Sequence, residues 1–95
     1  MNIGIPKESL SGENRVAGSP SSISALIKLG FSVNVQKGAG AKASFTDEEY
    51  SANDAELVSK KACWHSDIIL KVNPPTLDEV ASMNDGATLI SFIAP

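Results

Sequence analysis

A chain of 95 residues is one small domain or part of a larger one, and 42% hydrophobic with 20% charged residues describes a folded chain rather than a disordered one. A net charge of −3 excludes nucleic acid as an expected partner, because phosphate binding needs clustered Lys and Arg. There is no apolar run long enough to span a bilayer and no signal core at the start, and the single cysteine excludes an internal disulfide framework, so a reducing, cytoplasmic setting is the expectation.

Taken in chain order, Asn2 to Pro6 reads as a first strand. Lys7 to Gly18 is a polar loop, long for a compact domain and therefore a candidate for function. Ser19-Pro20 starts a helix, with Ser at the N-cap and Pro at the first helical position. Ile23, Leu26 and Ile27 give that helix its buried stripe, and Gly30 closes it in the left-handed conformation. Phe31 to Gln36 alternates apolar and polar, which predicts a second strand, at an edge. Lys37 to Phe45 is a Gly- and Ala-rich loop. Thr46-Asp47-Glu48-Glu49 is a capping box that opens a short helix. Ala55 to Val58 is a minor strand, and Ser59 to Ser66 a helical turn. Asp67 to Val72 is nearly all apolar, the mark of a strand buried on both faces, and Asn73-Pro74-Pro75 ends it. A second capping box, Thr76-Leu77-Asp78-Glu79, opens a helix carrying Leu77, Val80 and Met83. Asn84-Asp85-Gly86 is a turn, and Thr88 to Ile93 is another buried strand.

Strand–helix–strand in repetition predicts an α/β fold: an open parallel sheet with crossover helices, a Rossmann-like or flavodoxin-like lobe with strand one between its neighbours. Ala94-Pro95 follows a buried strand with no helix to cover it. Residues 1–95 are therefore expected to be one domain, incomplete at its C-terminus and truncated after its fourth main strand.

Few residues carry chemistry. Gly38-Ala39-Gly40-Ala41-Lys42-Ala43 fits the G-x-G-x-x-A spacing of a dinucleotide fingerprint, but it follows the second strand and no helix opens directly from it, so a plain turn is expected. Cys63 and His65, two apart on a helix, point to different sides and lack further partners for a zinc site. A buried thiol and a surface imidazole are expected instead. Lys71 closes an apolar strand, where a lysine is rare unless paired or functional. Arg15 lies in the long loop after strand one. Both should sit beyond the carboxyl ends of the strands, where open α/β sheets bind ligands, and together they would suit an anion such as a carboxylate. The expectation is that both face an open cleft; the alternative has Lys71 reaching to water and Arg15 pairing with Glu8 or Glu13 at the surface.

Ile3-Gly4-Ile5-Pro6-Lys7-Glu8, Glu13-Asn14-Arg15-Val16-Ala17 and Pro20 resemble the opening of the alanine dehydrogenase and proton-translocating NAD(P) transhydrogenase superfamily. The likeness continues through Gly38-Ala39-Gly40, Ser44 to Tyr50 and Asp67 to Val72, and so covers essentially the whole chain. The resemblance implies that Arg15 and Lys71 match the arginine and lysine with which alanine dehydrogenases bind pyruvate. Those enzymes also use a histidine at the exit of the last strand, and Ala94 stands in its place here. A methyl group carries no proton. Ile68 to Pro75 and Thr88 to Ile93 look instead like the NAD(H)-binding subunit of the transhydrogenase branch.

For that branch the resemblance implies the N-terminal lobe of a soluble, dimeric NAD(H)-binding domain on the cytoplasmic side of a membrane. The complete protein would exchange hydride with NADP(H) held on a partner domain, coupled to proton translocation by a membrane domain, and would not be of the Si-specific kind. The cofactor-contacting residues would lie in a second lobe beyond Pro95, so the chain alone would bind no NAD(H) and be inactive. The lobe of an alanine dehydrogenase-like amino-acid dehydrogenase is the alternative, and a non-catalytic module that borrowed the fold is a third.

Overall fold

The computed structural model describes residues 1–91. In chain order the elements are β1 (Asn2–Ile5), α1 (Pro20–Lys28), β2 (Ser32–Gln36), a 3-10 turn (Ala41–Ala43), α2 (Asp47–Ala52), β3 (Glu56–Val58), α3 (Lys60–Trp64), β4 (Ile68–Lys71), α4 (Leu77–Ala81) and β5 (Thr88–Ser91). The strands form one sheet in the order β3-β2-β1-β4-β5, and every pairing is parallel. The expected parallel α/β sheet is thus present, with β1 at its centre. The minor strand joins it as β3, so β2 is interior and not at the edge.

Each helix begins where the sequence places a side-chain acceptor. Ser19 caps α1 and Ser59 caps α3, while Thr46 and Thr76 form complete capping boxes with Glu49 and Glu79. Gly30 follows the α1 cap with φ +101, the left-handed turn that glycine adopts without strain.

The core lies on both sides of β1. Ile3 and Ile5 face α1 and join Ile23, Val33, Val35 and Tyr50 in one buried cluster. Gly4 faces α3, whose chain passes so close that a Cβ there would meet Cys63 O and lie 2.8 Å from Ser66 Oγ. The register Gly4↔Ile69 puts Ile69 on that same α3 face, and Lys71, two residues on, shares it.

Two expected burials turn out otherwise, and the apolar residues of a third element are open. In β4, Ile69 and Lys71 are buried but Ile68 and Leu70 only half so, because α3 covers one face more fully than α1 covers the other. In β5, Ile90 is 55% exposed, since among the described residues no element packs over it; Phe92, Ile93 and Ala94 lie outside the described residues. In α4, Leu77 is 89% exposed and Val80 is exposed too, while Glu79 is buried. The capping box explains the inversion: Glu79 folds back to accept from Thr76 N at 2.9 Å and lies 3.4 Å from Ser9 Oγ.

Candidate functional site

The chain order reverses between β1 and β4, the switch point outside whose carboxyl ends open α/β sheets bind ligands. Two segments meet there: the loop that leaves β1 at Pro6 and the Val72-Asn73-Pro74-Pro75 exit of β4. Prolines stop the β4 ladder, which leaves the amides of Val72 and Asn73 in need of acceptors. Glu8 supplies both, through Oε2 at 2.9 Å to Val72 N and Oε1 at 3.1 Å to Asn73 N. The same carboxylate holds Lys71 Nζ at 3.0 Å, with the side chains of Lys71 and Glu8 only 1% and 3% exposed. Removing one partner of such a buried pair costs about 3–5 kcal/mol, because the other charge is stranded. The Lys71 ammonium also lies 6.0 Å from the centre of the buried Trp64 ring.

Farther along the loop, a turn closed by Glu13 N donating to Leu10 O (3.1 Å) carries Gly12 at φ +84, a type II position open to glycine. That turn aims Glu13 inward. Arg15 clamps it with Nε on Oε2 at 2.9 Å and Nη2 on Oε1 at 2.8 Å, and Arg15 N adds a third bond at 2.8 Å. Asn73 Nδ2 donates to Glu13 Oε1 at 2.8 Å. The Arg15 bonds first, and then Asn73, hold the Glu13 carboxyl well below the usual carboxylate range, and Glu13 in turn raises the Arg15 guanidinium.

Lys71, Glu8, Asn73, Glu13 and Arg15 are therefore one hydrogen-bonded array of two cations and two carboxylates. The two cations singled out in the sequence reach the same end of the sheet, but in different environments. Arg15 pairs with Glu13 at the surface and is 70% exposed. Lys71 reaches neither water nor an open cleft; Glu8 neutralises it in the interior. Cavities of about 260 Å³, beside Ser9, Leu10 and Pro74, and about 130 Å³, beside Ala17, Leu70 and Ile90, adjoin Lys71. The part played by Glu8 was missed in the sequence. Its signal was an acidic residue just past one strand and a lysine ending another, which a parallel pairing brings to one edge.

The remaining candidates resolve simply. Gly38 (φ +79) and the 3-10 turn form a plain bend, and a Cβ on Gly40 would lie 2.6 Å from Tyr50 Cε2, so this glycine makes room for a ring and not for a pyrophosphate. A cavity of about 370 Å³ beside Phe45 and Asp47 holds no cation to match the array, and Asp47 is engaged by Gly38 N at 2.9 Å. Cys63 and Trp64 are buried and His65 is exposed. Burial pushes the Cys63 thiol up to about 12. Among the described residues no group of His, Cys, Asp and Glu could hold a metal ion.

The family described as "Alanine dehydrogenase/PNT, N-terminal domain" matches residues 4–95. The chain is 47% identical over 93 residues to the NAD(P) transhydrogenase subunit alpha of Haemophilus influenzae, covering 98% of this chain and 18% of that protein. It is 38% identical over 94 residues to the alanine dehydrogenase of Staphylococcus saprophyticus, covering 98% of this chain and 25% of that one. Among solved structures, the transhydrogenase from Sinorhizobium meliloti superposes with a TM-score of 0.94 at 36% identity, over 98% of this chain and 28% of that chain. An L-alanine dehydrogenase superposes with a TM-score of 0.88 at 34% identity, over 97% and 26% respectively. The chain thus spans about a fifth to a quarter of the length of these curated relatives.

Proposed function

The chain belongs to the alanine dehydrogenase/PNT N-terminal domain family, and on that footing we propose that it is the N-terminal lobe of the NAD(H)-binding subunit of a proton-translocating NAD(P) transhydrogenase. The observation that carries this reading is the 47% identity to a transhydrogenase subunit alpha across 98% of the chain, against 38% to an alanine dehydrogenase over the same share. Ala94, where the alanine dehydrogenases are expected to place a proton-carrying histidine, supports the same branch. The complete protein moves hydride between NAD(H) and NADP(H), the latter on a partner domain, coupled to proton movement through a membrane domain. The NAD(H)-binding domain pairs with a second copy of itself.

This reading places the dinucleotide site outside the described residues. The first βα connection, where the fingerprint belongs, runs from Pro6 to Ser19 and opens with Lys7 and the buried carboxylate of Glu8, where a pyrophosphate would need donors. The reading therefore assigns NAD(H) to a second lobe, with residues 1–95 forming one wall of the cleft between lobes. This chain contributes a rigid edge: Arg15 offers its guanidinium to anionic groups entering the cleft, and Lys71 backs it from the interior. The test is the complete protein assayed for hydride transfer from NADPH to an NAD⁺ analogue and for alanine-dependent reduction of NAD⁺. The first activity is expected without the second. Alanine-dependent reduction would reassign the chain to the dehydrogenase branch.

A further inference from the structure

We infer that Glu8 and Glu13, joined by the Asn73 side chain, are positioning residues that set the two cations of this edge as a unit; the inference rests on the proposed reading in which Arg15 faces the cleft and Lys71 backs it from the interior. Three features of the array support it. Glu13 takes the Nε–Nη2 edge of Arg15, which leaves the Nη1 side of the fork without a protein partner among the described residues. A guanidinium has five donors in a fixed fork, so a clamp on one edge fixes the direction in which the other edge points. A flexible surface arginine would otherwise disperse among rotamers and lose that freedom only on meeting its ligand.

Glu8 does the corresponding work on Lys71. It binds Nζ and, through the same two oxygens, the amides of Val72 and Asn73, so the ammonium is tied to the backbone that ends its own strand. Lys71 carries three donors, and Glu8 is its only ion-pair partner among the described residues. Asn73 Nδ2 then spans the two carboxylates, at 2.8 Å from Glu13 and 3.4 Å from Glu8. An amide with two donors fits between two acceptors, and a residue without a side-chain donor would leave each carboxylate with one fewer bond.

The test is a pair of double-mutant cycles on hydride transfer in the complete protein, Glu13→Gln with Arg15→Gln and Glu8→Gln with Lys71→Gln, each variant also being followed by thermal unfolding. If Glu13 acts through Arg15, Glu13→Gln lowers kcat/KM roughly ten- to a hundredfold, the range of a small misplacement, and adds nothing in the Arg15→Gln background. The Glu8 and Lys71 cycle behaves the same way. Glu13 lies in a surface loop, so its cycle stands even if Glu8→Gln does not fold. Asn73→Asp, which replaces the bridging donor by a third carboxylate, lowers turnover, and Asn73→Gln restores part of it. Losses from Glu13→Gln and Arg15→Gln that multiply, tracking only the fall in stability, would make the carboxylates plain scaffold and overturn the inference. Loss in Arg15→Gln and Lys71→Gln with none in Glu8→Gln or Glu13→Gln overturns it while leaving the reading of the cations intact. Unchanged turnover in all four overturns both.

Discussion

Tyr50 shows how one side chain can join distant parts of this fold. It is fully buried, its hydroxyl donates to Gly18 O at 2.7 Å, and its ring fills the space that Gly40 leaves open. Burial first, then the charges of Glu49 and Asp47, push its pKa from 10.0 up to about 12. A tyrosine whose folded pKa is raised contributes stability that is fully present below its unfolded value and is lost as pH rises toward its folded value. Tyr50→Phe removes the hydroxyl and strands a carbonyl, at a cost of about 1–2 kcal/mol near neutral pH. We expect that gap between wild type and variant to stay constant up to about pH 10 and to narrow between 10 and 12, as measured by urea unfolding at a series of pH values. A gap that widens over that range would mean the hydroxyl is not held as a neutral donor. None of this was legible in the sequence, where Tyr50 is one residue after a capping box. Lys71 was legible as an anomaly but not as a solved one, because Glu8 stands 63 positions earlier in the chain and only the β1–β4 pairing joins them.

At the scale of elements, local signals read well and burial read poorly. Ser19-Pro20, Thr46 to Glu49 and Thr76 to Glu79 each start a helix where they stand, because a cap is a contact within four residues. Whether a strand face is covered depends on what arrives from elsewhere, and the apolar runs of β4 and β5 cannot state that. The sequence predicts a buried β5, yet Ile90 is exposed and Leu89 only partly covered. On the proposal that the lobe continues beyond residue 95, chain from that continuation lies over Leu70 and Ile90, since parallel sheets are covered on both faces. Hydrogen exchange of the β5 amides, compared between residues 1–95 alone and the complete protein, checks this. Slower exchange in the complete protein is expected at Leu89 and Ile90, with the β2 amides less affected. Equal exchange at β5 in both would mean that this face stays open.

The whole molecule is a parallel sheet whose switch point is already filled by its own charges. A ligand at such a crevice meets helix N-termini and bare amides in the dinucleotide-binding version of the fold. Here Glu8 takes the amides of Val72 and Asn73, Lys71 neutralises Glu8, and Arg15 and Glu13 close the outer edge. The two carboxylates cancel the two cations, so a dianionic pyrophosphate finds no net positive field inside the array and a buried carboxylate in its path. The glycine-rich stretch at Gly38, whose spacing fits a dinucleotide fingerprint, is a bend whose close approach serves the Tyr50 ring. From these two facts follows the expectation that residues 1–95 alone bind no NAD(H). Calorimetric titration with NADH is the direct measurement, with circular dichroism confirming that the chain is folded in the same sample. No heat of binding is expected up to millimolar NADH. Saturable binding at micromolar concentration would place a nucleotide site within this lobe, and Glu8→Gln would then be the variant to compare. Tighter binding on loss of that charge would locate the site at the switch point, and unchanged affinity would locate it elsewhere on the lobe.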